Sequence, residues 1–331
     1  MKKIVSLVLC AALVWMLSGC DELPAERTVT AMDTVMSMRV FGDDGTLDDI
    51  TSLIHTLDAS LSAVDEDSEI AALNRDKAAL LSDDAAAVLS RTLDIAHRTD
   101  GALDPTVCPL MNAWGFLGGA YRVPSSEEIE SLLPLVDASA VKMDGAAVSL
   151  PKGVSVDLGA VAKGYLADRA KAILSDSAAS GAVLNLGGTI LTYGSKSDGS
   201  LWKVGVADPE HPTAYFGYLT CTDRVIATSG GYERYFEEDG RRYIHILDPS
   251  TGYPVDNHLL SVTVVADDGL YADALSTALF VMGIDGAAAY YDRYGDFDCI
   301  ILCDDGTMYM TDGVSDIFSL ADGYEYTIQQ L

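Results

Sequence analysis

Apolar residues recur along this chain at two different spacings, and the switch between them lays out its elements. In "LDDITSLIHTLDASLSAV" (47–64), Leu47, Ile50, Leu53, Ile54, Leu57, Leu61 and Val64 fall three or four apart, which predicts an amphipathic helix. "DDAAAVLSRTLDIAHRT" (83–99) predicts a second helix, and "PSSEEIESLL" (124–133) a third, with Ser125 or Ser126 to cap it and early glutamates suited to the helix dipole. "TVMSMRVFG" (34–42) reads instead as a strand ending at glycine. "AVLNLGG" (182–188) predicts a buried strand, and from about 200 to 265 the pattern is mostly β, with Asp239-Gly240 as a hairpin turn. "LYADALSTALFVMG" (270–283) predicts a helix stopped by a glycine, and "DCIILC" a further strand. The turn-rich "TDGALDPTVCPLMNAWGF" (99–116) reads as a structured loop rather than a helix. Helices and strands mix without a regular βαβ beat, so the expected class is α+β, one domain of mixed, largely antiparallel sheet with packed helices.

The N-terminus does not fit that pattern. Lys2 and Lys3 precede the apolar run "IVSLVLCAALVWML", too short to span a bilayer comfortably but matching the core of a signal peptide. It ends in "LSGC", which resembles a bacterial lipobox, with Cys20 the lipidated (palmitoylated) residue; an uncleaved anchor or a plain signal are the alternatives. The expected division is therefore 1–20 signal peptide, 21–30 tether and 31–331 folded domain, with the protein lipid-anchored on the extracytoplasmic face of the cell membrane. With 49% hydrophobic and 21% charged residues the rest is ordinary for a globular chain. The formal charge of -29 repels nucleic acid, so a nucleic-acid partner is excluded, and a polyphosphate substrate would need bound metal to compensate. Six cysteines are too few for a disulfide scaffold, and Cys299 and Cys303 share one face of their strand, as core residues would.

Four stretches can carry chemistry. "DLGAVAKGYLADRA" (157–170) looks like a phosphate loop but fails as one, because Lys163 precedes the second glycine and Tyr165 follows it. What remains is a helix beginning near Leu158, with Asp157 either as its N-cap or as a ligand contact. In "ADALSTA" (272–278), Asp273 and Thr277 lie four apart on one helix face; both are hard oxygen donors suited to Mg²⁺, though solvation and local hydroxyl bonding explain the same spacing. His245 leads into the turn "DPSTG", where it is either a packed residue or a general base. Trp114 and Phe116 can stack on a planar ligand or fill the core.

Seven segments in order, "AMDTVM", "TDGALDPTVCPLMNAWGF", "VDLGAVAKGYLAD", "VLNLGG", "ATSGGYERYF", "HILDPSTGYPV" and "SVTVVADDGLYADALSTALFVMG", resemble the ApbE-type flavin transferases (FAD:protein FMN transferases). The resemblance runs from about Ala31 to the C-terminal region and implies a single α+β domain. It implies a Mg²⁺-dependent transferase that cleaves FAD and attaches FMN through a phosphoester to a Thr or Ser of an acceptor flavoprotein, such as an electron-transport subunit with a flavinylation motif, releasing AMP. The alternatives are a Mg²⁺-dependent FAD pyrophosphatase and a non-catalytic FAD-binding lipoprotein. By position it makes Asp273, Thr277 and the Ala160 carbonyl ligands of Mg²⁺, and His245 the base. Met32, Ala102, Leu103, Asp104, Asp157, Lys163 and Leu247 resemble residues lining the FAD site. Three positions depart from the pattern: Asp33 stands where many relatives have glycine, Val64 where several have a flavin-stacking aromatic, and Lys163 where some have glutamate.

Overall fold

The computed structural model describes residues 23–42, 45–211 and 213–331. The predicted signal peptide and Cys20 lie outside the described residues, as do the first two residues of the expected tether. The rest of that tether is shorter than expected. Residues Ala25–Ala31 form strand β1, paired antiparallel with β2 (Thr34–Phe41) from Ala25↔Val40 to Ala31↔Thr34. Val29 and Ala31 are buried in β1, so what reads as a polar leader is an edge strand with one apolar side.

Strands β3 (Ala78–Leu80), β4 (Lys142–Asp144) and β5 (Ala147–Ser149) form a small separate sheet, and β16 (Phe318–Leu320) pairs outside the main sheet, which continues through β6 (Gly181–Asn185), β7 (Thr189–Gly194), β10 (Val225–Gly230), β13 (Leu259–Ala266), β14 (Asp298–Cys303), β15 (Thr307–Met310) and β17 (Thr327–Gln330). Its order is β1-β2-β6-β7-β10-β13-β14-β15-β17, antiparallel throughout except for the last pair. Helices α1 (Thr46–Leu61), α6 (Ala162–Ser175) and α7 (Gly269–Tyr294) cover one face. Between them in sequence come α2 (Glu69–Asp76), α3 (Asp83–Arg98), α4 (Cys108–Trp114) and α5 (Ser126–Leu132). Strands β8 (Trp202–Ala207) and β9 (Tyr215–Cys221) pack on the opposite face. A strand covered on both sides must be apolar at successive positions, which is why "VTVVA" and "CIILC" do not alternate. Val262, Val264, Cys299, Ile301 and Cys303 face the helices, while Val265, Ile300 and Leu302 face β8 and β9. Cys299 and Cys303 are free thiols in that core, as their shared face implied.

The helix expected at 270–283 is interrupted at its glycine, since Gly283 adopts φ 70° and ψ -177°, and a second helical segment carries on to Tyr294. By length and composition α7 could cross a membrane, but its first half is buried against β10 and β13. The stretch 99–116 is not all loop: Pro105–Val107 make a 3-10 turn and α4 follows. A left-handed Gly115 stops α4, its amide bonded to Asn112 O at 3.0 Å.

Candidate active site

Eleven residues expected at the site, scattered in sequence from Met32 to Thr277, line one cavity of about 660 Å³. They are Met32, Ala102, Leu103, Asp104, Asp157, Ala160, Lys163, His245, Leu247, Asp273 and Thr277. Strand ends and helix starts converge there.

Met32 and Asp33 form the two-residue turn between β1 and β2, both with positive φ (50° and 56°), as a hairpin turn matching the sheet twist requires. Aspartate tolerates this region better than most residues, so Asp33 holds the turn at a modest cost in strain. The turn is pinned by Met32 N donating to Asp58 Oδ1 at 2.8 Å.

Asp157 is not a helix cap. The helix begins at Ala162, and Asp157 stands in the preceding turn, its Oδ1 accepting from Gly159 N at 3.0 Å and its own amide donating to Pro105 O at 2.8 Å. The reason is a chain reversal at Gly159–Val161 that must finish before helical dihedrals start; Val161 sits at φ -138°. Burial in the cavity wall raises the Asp157 pKa, partly offset by the Gly159 amide and by Arg234. Asp104 also lines the cavity, but its carboxylate is engaged elsewhere, accepting from Thr106 N (2.8 Å), Thr106 Oγ1 (2.5 Å) and Ala138 N (3.0 Å).

Asp273 is the most firmly placed of the set. It is 5% exposed, Oδ2 accepts from Gly164 N at 2.9 Å and Oδ1 from Thr189 Oγ1 at 3.0 Å. The solvated aspartate does not survive, whereas local hydroxyl bonding does in part, since Ser276 Oγ donates to Asp273 O of its own helix at 2.8 Å. Thr277, one turn on, shares a hydrogen bond with Ser229 Oγ at 3.1 Å, and Ser229 also meets Ser276 Oγ at 2.8 Å. The approach of α6 to α7 that allows this depends on two glycines. A Cβ on Gly164 would sit 2.1 Å from Gly269 O, and one on Gly269 would sit 2.4 Å from Gly164 O. Asp168, one turn further along α6, accepts from Gly269 N (2.5 Å) and Leu270 N (3.1 Å), fixing the start of α7 to α6.

His245 follows β12 (Arg241–Ile244), which pairs with β11 (Tyr235–Glu238) around the Asp239-Gly240 turn. Its amide donates to Arg234 O at 3.0 Å and its Nδ1 lies 3.1 Å from the same oxygen. A carbonyl only accepts, so Nδ1 carries the proton and Nε2 keeps a lone pair. Burial first, then the charge of Arg234, pushes its pKa down to about 4, so the ring is neutral at physiological pH.

Several residues in or behind this wall were not singled out from the sequence. Thr189, Ser229, Tyr232, Glu233 and Arg234 all bear on the site, and four of them lie in "ATSGGYERYF" or directly at its strand. Glu233 is pushed up to about 7, chiefly by burial and then by the opposing effects of Lys163 and Asp273. The signal available was a pair of opposite charges, Glu233-Arg234, three residues past the end of a largely buried strand. Trp114 and Phe116, by contrast, are fully buried with Leu110 and Ile129 in a separate small core, and Trp114 Nε1 donates to Gly252 O at 2.8 Å. Val64 lines the cavity and is 50% exposed, an aliphatic surface where an aromatic could stand.

A largely antiparallel α+β scaffold sets a neutral imidazole, a buried carboxylate and further hard-oxygen donors on one large cavity, an arrangement suited to acid–base chemistry in an enzyme active site. The chain belongs to the ApbE family, whose model matches residues 32–301. It is 31% identical to the FAD:protein FMN transferase of Haemophilus influenzae over 87% of this chain and 89% of that one. A Klebsiella pneumoniae FAD:protein FMN transferase is 39% identical over 61% of this chain and 64% of its own length, so that match spans under two thirds of the relative. Among solved structures, the ApbE protein of Thermotoga maritima superposes with a TM-score of 0.82 at 33% identity, covering 89% of this chain and 99% of that one. The Pseudomonas stutzeri flavinyl transferase ApbE gives 0.80 at 27%, covering 90% and 98%.

Proposed function

We propose that this protein is an FAD:protein FMN transferase, which moves the FMN half of FAD onto a Ser or Thr hydroxyl of an acceptor protein and releases AMP. The observation that carries this reading is the neutral His245, with Nδ1 committed to Arg234 O and Nε2 left as an acceptor on the wall of the cavity. The acceptor hydroxyl gives its proton to Nε2 as its oxygen forms the new bond to the FMN phosphorus. The bond from that phosphorus to the bridging oxygen breaks, and AMP leaves with the oxygen. Asp157 and Lys163 line the same wall and bind the polar parts of FAD, with Met32, Ala102, Leu103, the Asp104 backbone and Leu247 shaping the remainder. Val64 in place of an aromatic leaves the flavin without a stacking partner at that point.

The donor set suits Mg²⁺. Among the described residues no group of three or more His, Cys, Asp or Glu could hold a metal, but Asp273, Thr277 and the Ala160 carbonyl are hard oxygens on one cavity. The Asp273 carboxylate is already oriented by two donors, which is how such a ligand is held ready. When bound, the ion would neutralise diphosphate charge in a chain of formal charge -29. Lipidation at Cys20 would tether the enzyme to the outer face of the cell membrane, beside a membrane-associated electron-transport acceptor.

The test incubates the protein with FAD, Mg²⁺ and an acceptor domain. A fluorescent acceptor band that survives denaturation is expected, and His245→Ala should lower its formation by about 10²–10⁴-fold while FAD binding is kept. Stoichiometric AMP with only free FMN, or no AMP, would replace this reading.

A further inference from the structure

We propose that Arg234 is a positioning residue for His245, acting through a closed ring of three side chains and carbonyls that includes Phe116. The proposal rests on the reading above, in which His245 takes the acceptor proton. The ring is explicit in the geometry. The Arg234 carbonyl receives both the amide and Nδ1 of His245, at 3.0 and 3.1 Å. Arg234 Nη2 donates to Phe116 O at 2.7 Å. The Phe116 ring then meets the imidazole edge-on, with centroids 6.4 Å apart at 66°. Each member thereby restrains the next. Phe116 is the anchor, fully buried and with its own amide bonded to Met111 O at 2.9 Å.

Arg234 has two separable effects. Its main-chain oxygen selects the tautomer, and no side-chain substitution removes that. Its guanidinium is a permanent cation, because arginine does not deprotonate in proteins, and a fixed positive charge beside an imidazole opposes protonation of the ring. The charged groups acting on His245 are Arg234 and, more weakly, Lys163; the Phe116 ring is apolar, and Glu233 moderates both cations from the same wall. Burial is the larger cause of the depressed His245 pKa, so losing Arg234 alone recovers part of the shift from about 4 towards 6.5. A lysine would keep the charge but not the planar fork that bridges to Phe116 O.

The direct test is an NMR titration of the His245 imidazole in the full chain without FAD, assigned by its loss in His245→Gln. Arg234→Gln and Arg234→Met should each raise the ring's midpoint by about one pH unit, and Arg234→Lys by less than half of that. The acid limb of kcat for AMP release in the presence of acceptor should move by the same amount, with KM for FAD changed less than about threefold. At pH 5 the variant's rate relative to pH 8 should then fall by about twofold more than the parent's. A folded Gln or Met variant whose ring titrates at the parent's midpoint overturns the proposal. Lower thermal stability with an unmoved acid limb does so as well, since it assigns Arg234 a merely structural tie to Phe116. The ring titration is independent of turnover, so if the parent fails to flavinylate while the Arg234 variants still show the shifted midpoint, the positioning role stands and the functional reading alone is refuted.

Discussion

Gly164→Ala is the substitution in which the fold and the site are most tightly coupled. Glycine to alanine inside a helix ordinarily stabilises by up to about 1 kcal/mol, and Gly164 lies in α6 with helical dihedrals. Here the new methyl would lie 2.1 Å from Gly269 O, 2.6 Å from Gly269 C and 2.7 Å from Asp273 Cβ. Two of these are backbone atoms, which cannot rotate aside, so α6 and α7 must separate by about 1 Å to restore an ordinary contact. Overpacking of this kind costs about 1–3 kcal/mol, and the separation also stretches the 2.9 Å bond from Gly164 N to Asp273 Oδ2 beyond hydrogen-bonding range. A net loss of about 2 kcal/mol lowers Tm by about 3 °C for a chain of this size, since the entropy of unfolding grows with length. Freed of one orienting donor, Asp273 should need more metal, and the Mg²⁺ concentration for half-maximal AMP release should rise about tenfold. Calorimetry and a Mg²⁺ titration at saturating FAD measure the two effects. A variant with parental Tm and parental Mg²⁺ dependence would refute the claim that the glycine contact sets the place of Asp273.

Asp273→Asn keeps the shape but replaces an acceptor oxygen by a donor, so Mg²⁺-dependent AMP release should fall about 10²-fold or more while FAD binding, followed by flavin fluorescence, persists. Glu233 holds its proton to about pH 7 in the folded protein, well above its ordinary 4.5. Between those values the unfolded chain releases a proton that the folded one keeps, so stability falls as pH rises through that window. Glu233→Gln should therefore gain Tm over the parent progressively from about pH 4.5 to pH 7, and a difference that does not vary with pH refutes the assignment. Burial pushes the Cys108 thiol up to about 12 and Cys303 up to about 11, and Cys221 and Cys299 are also buried and raised. Iodoacetamide at pH 8 should leave all four unlabelled until the protein is unfolded, as read by mass spectrometry.

Where local pattern carries the information, the sequence was sufficient. The helix at Thr46–Leu61, the Ser125 cap, the Asp239-Gly240 turn and the shared core face of Cys299 and Cys303 all follow from spacing and turn chemistry within a few residues. It failed where a distant partner decides. "AERTVTA" became a strand because β2 offered a pairing edge, and Cys108–Trp114 became helical because Leu110 and Trp114 could bury beside Ile129 and Leu247. The start of α6 moved past Asp157 because the preceding turn is tied to Pro105.

The site divides along the same line. Ordered motifs named eleven residues, and composition required a compensating cation for phosphate, but neither could say which atoms meet. That Gly164 exists to admit α7 rather than a ligand, that Thr189 steadies Asp273, and that Arg234 and Phe116 enclose His245 are facts of contact between residues tens to over a hundred positions apart. Periodicity and capping act along the chain and are written in it directly. Hydrogen bonds, desolvation and steric approach act through space, and only the folded chain brings their partners within the few ångströms over which they operate.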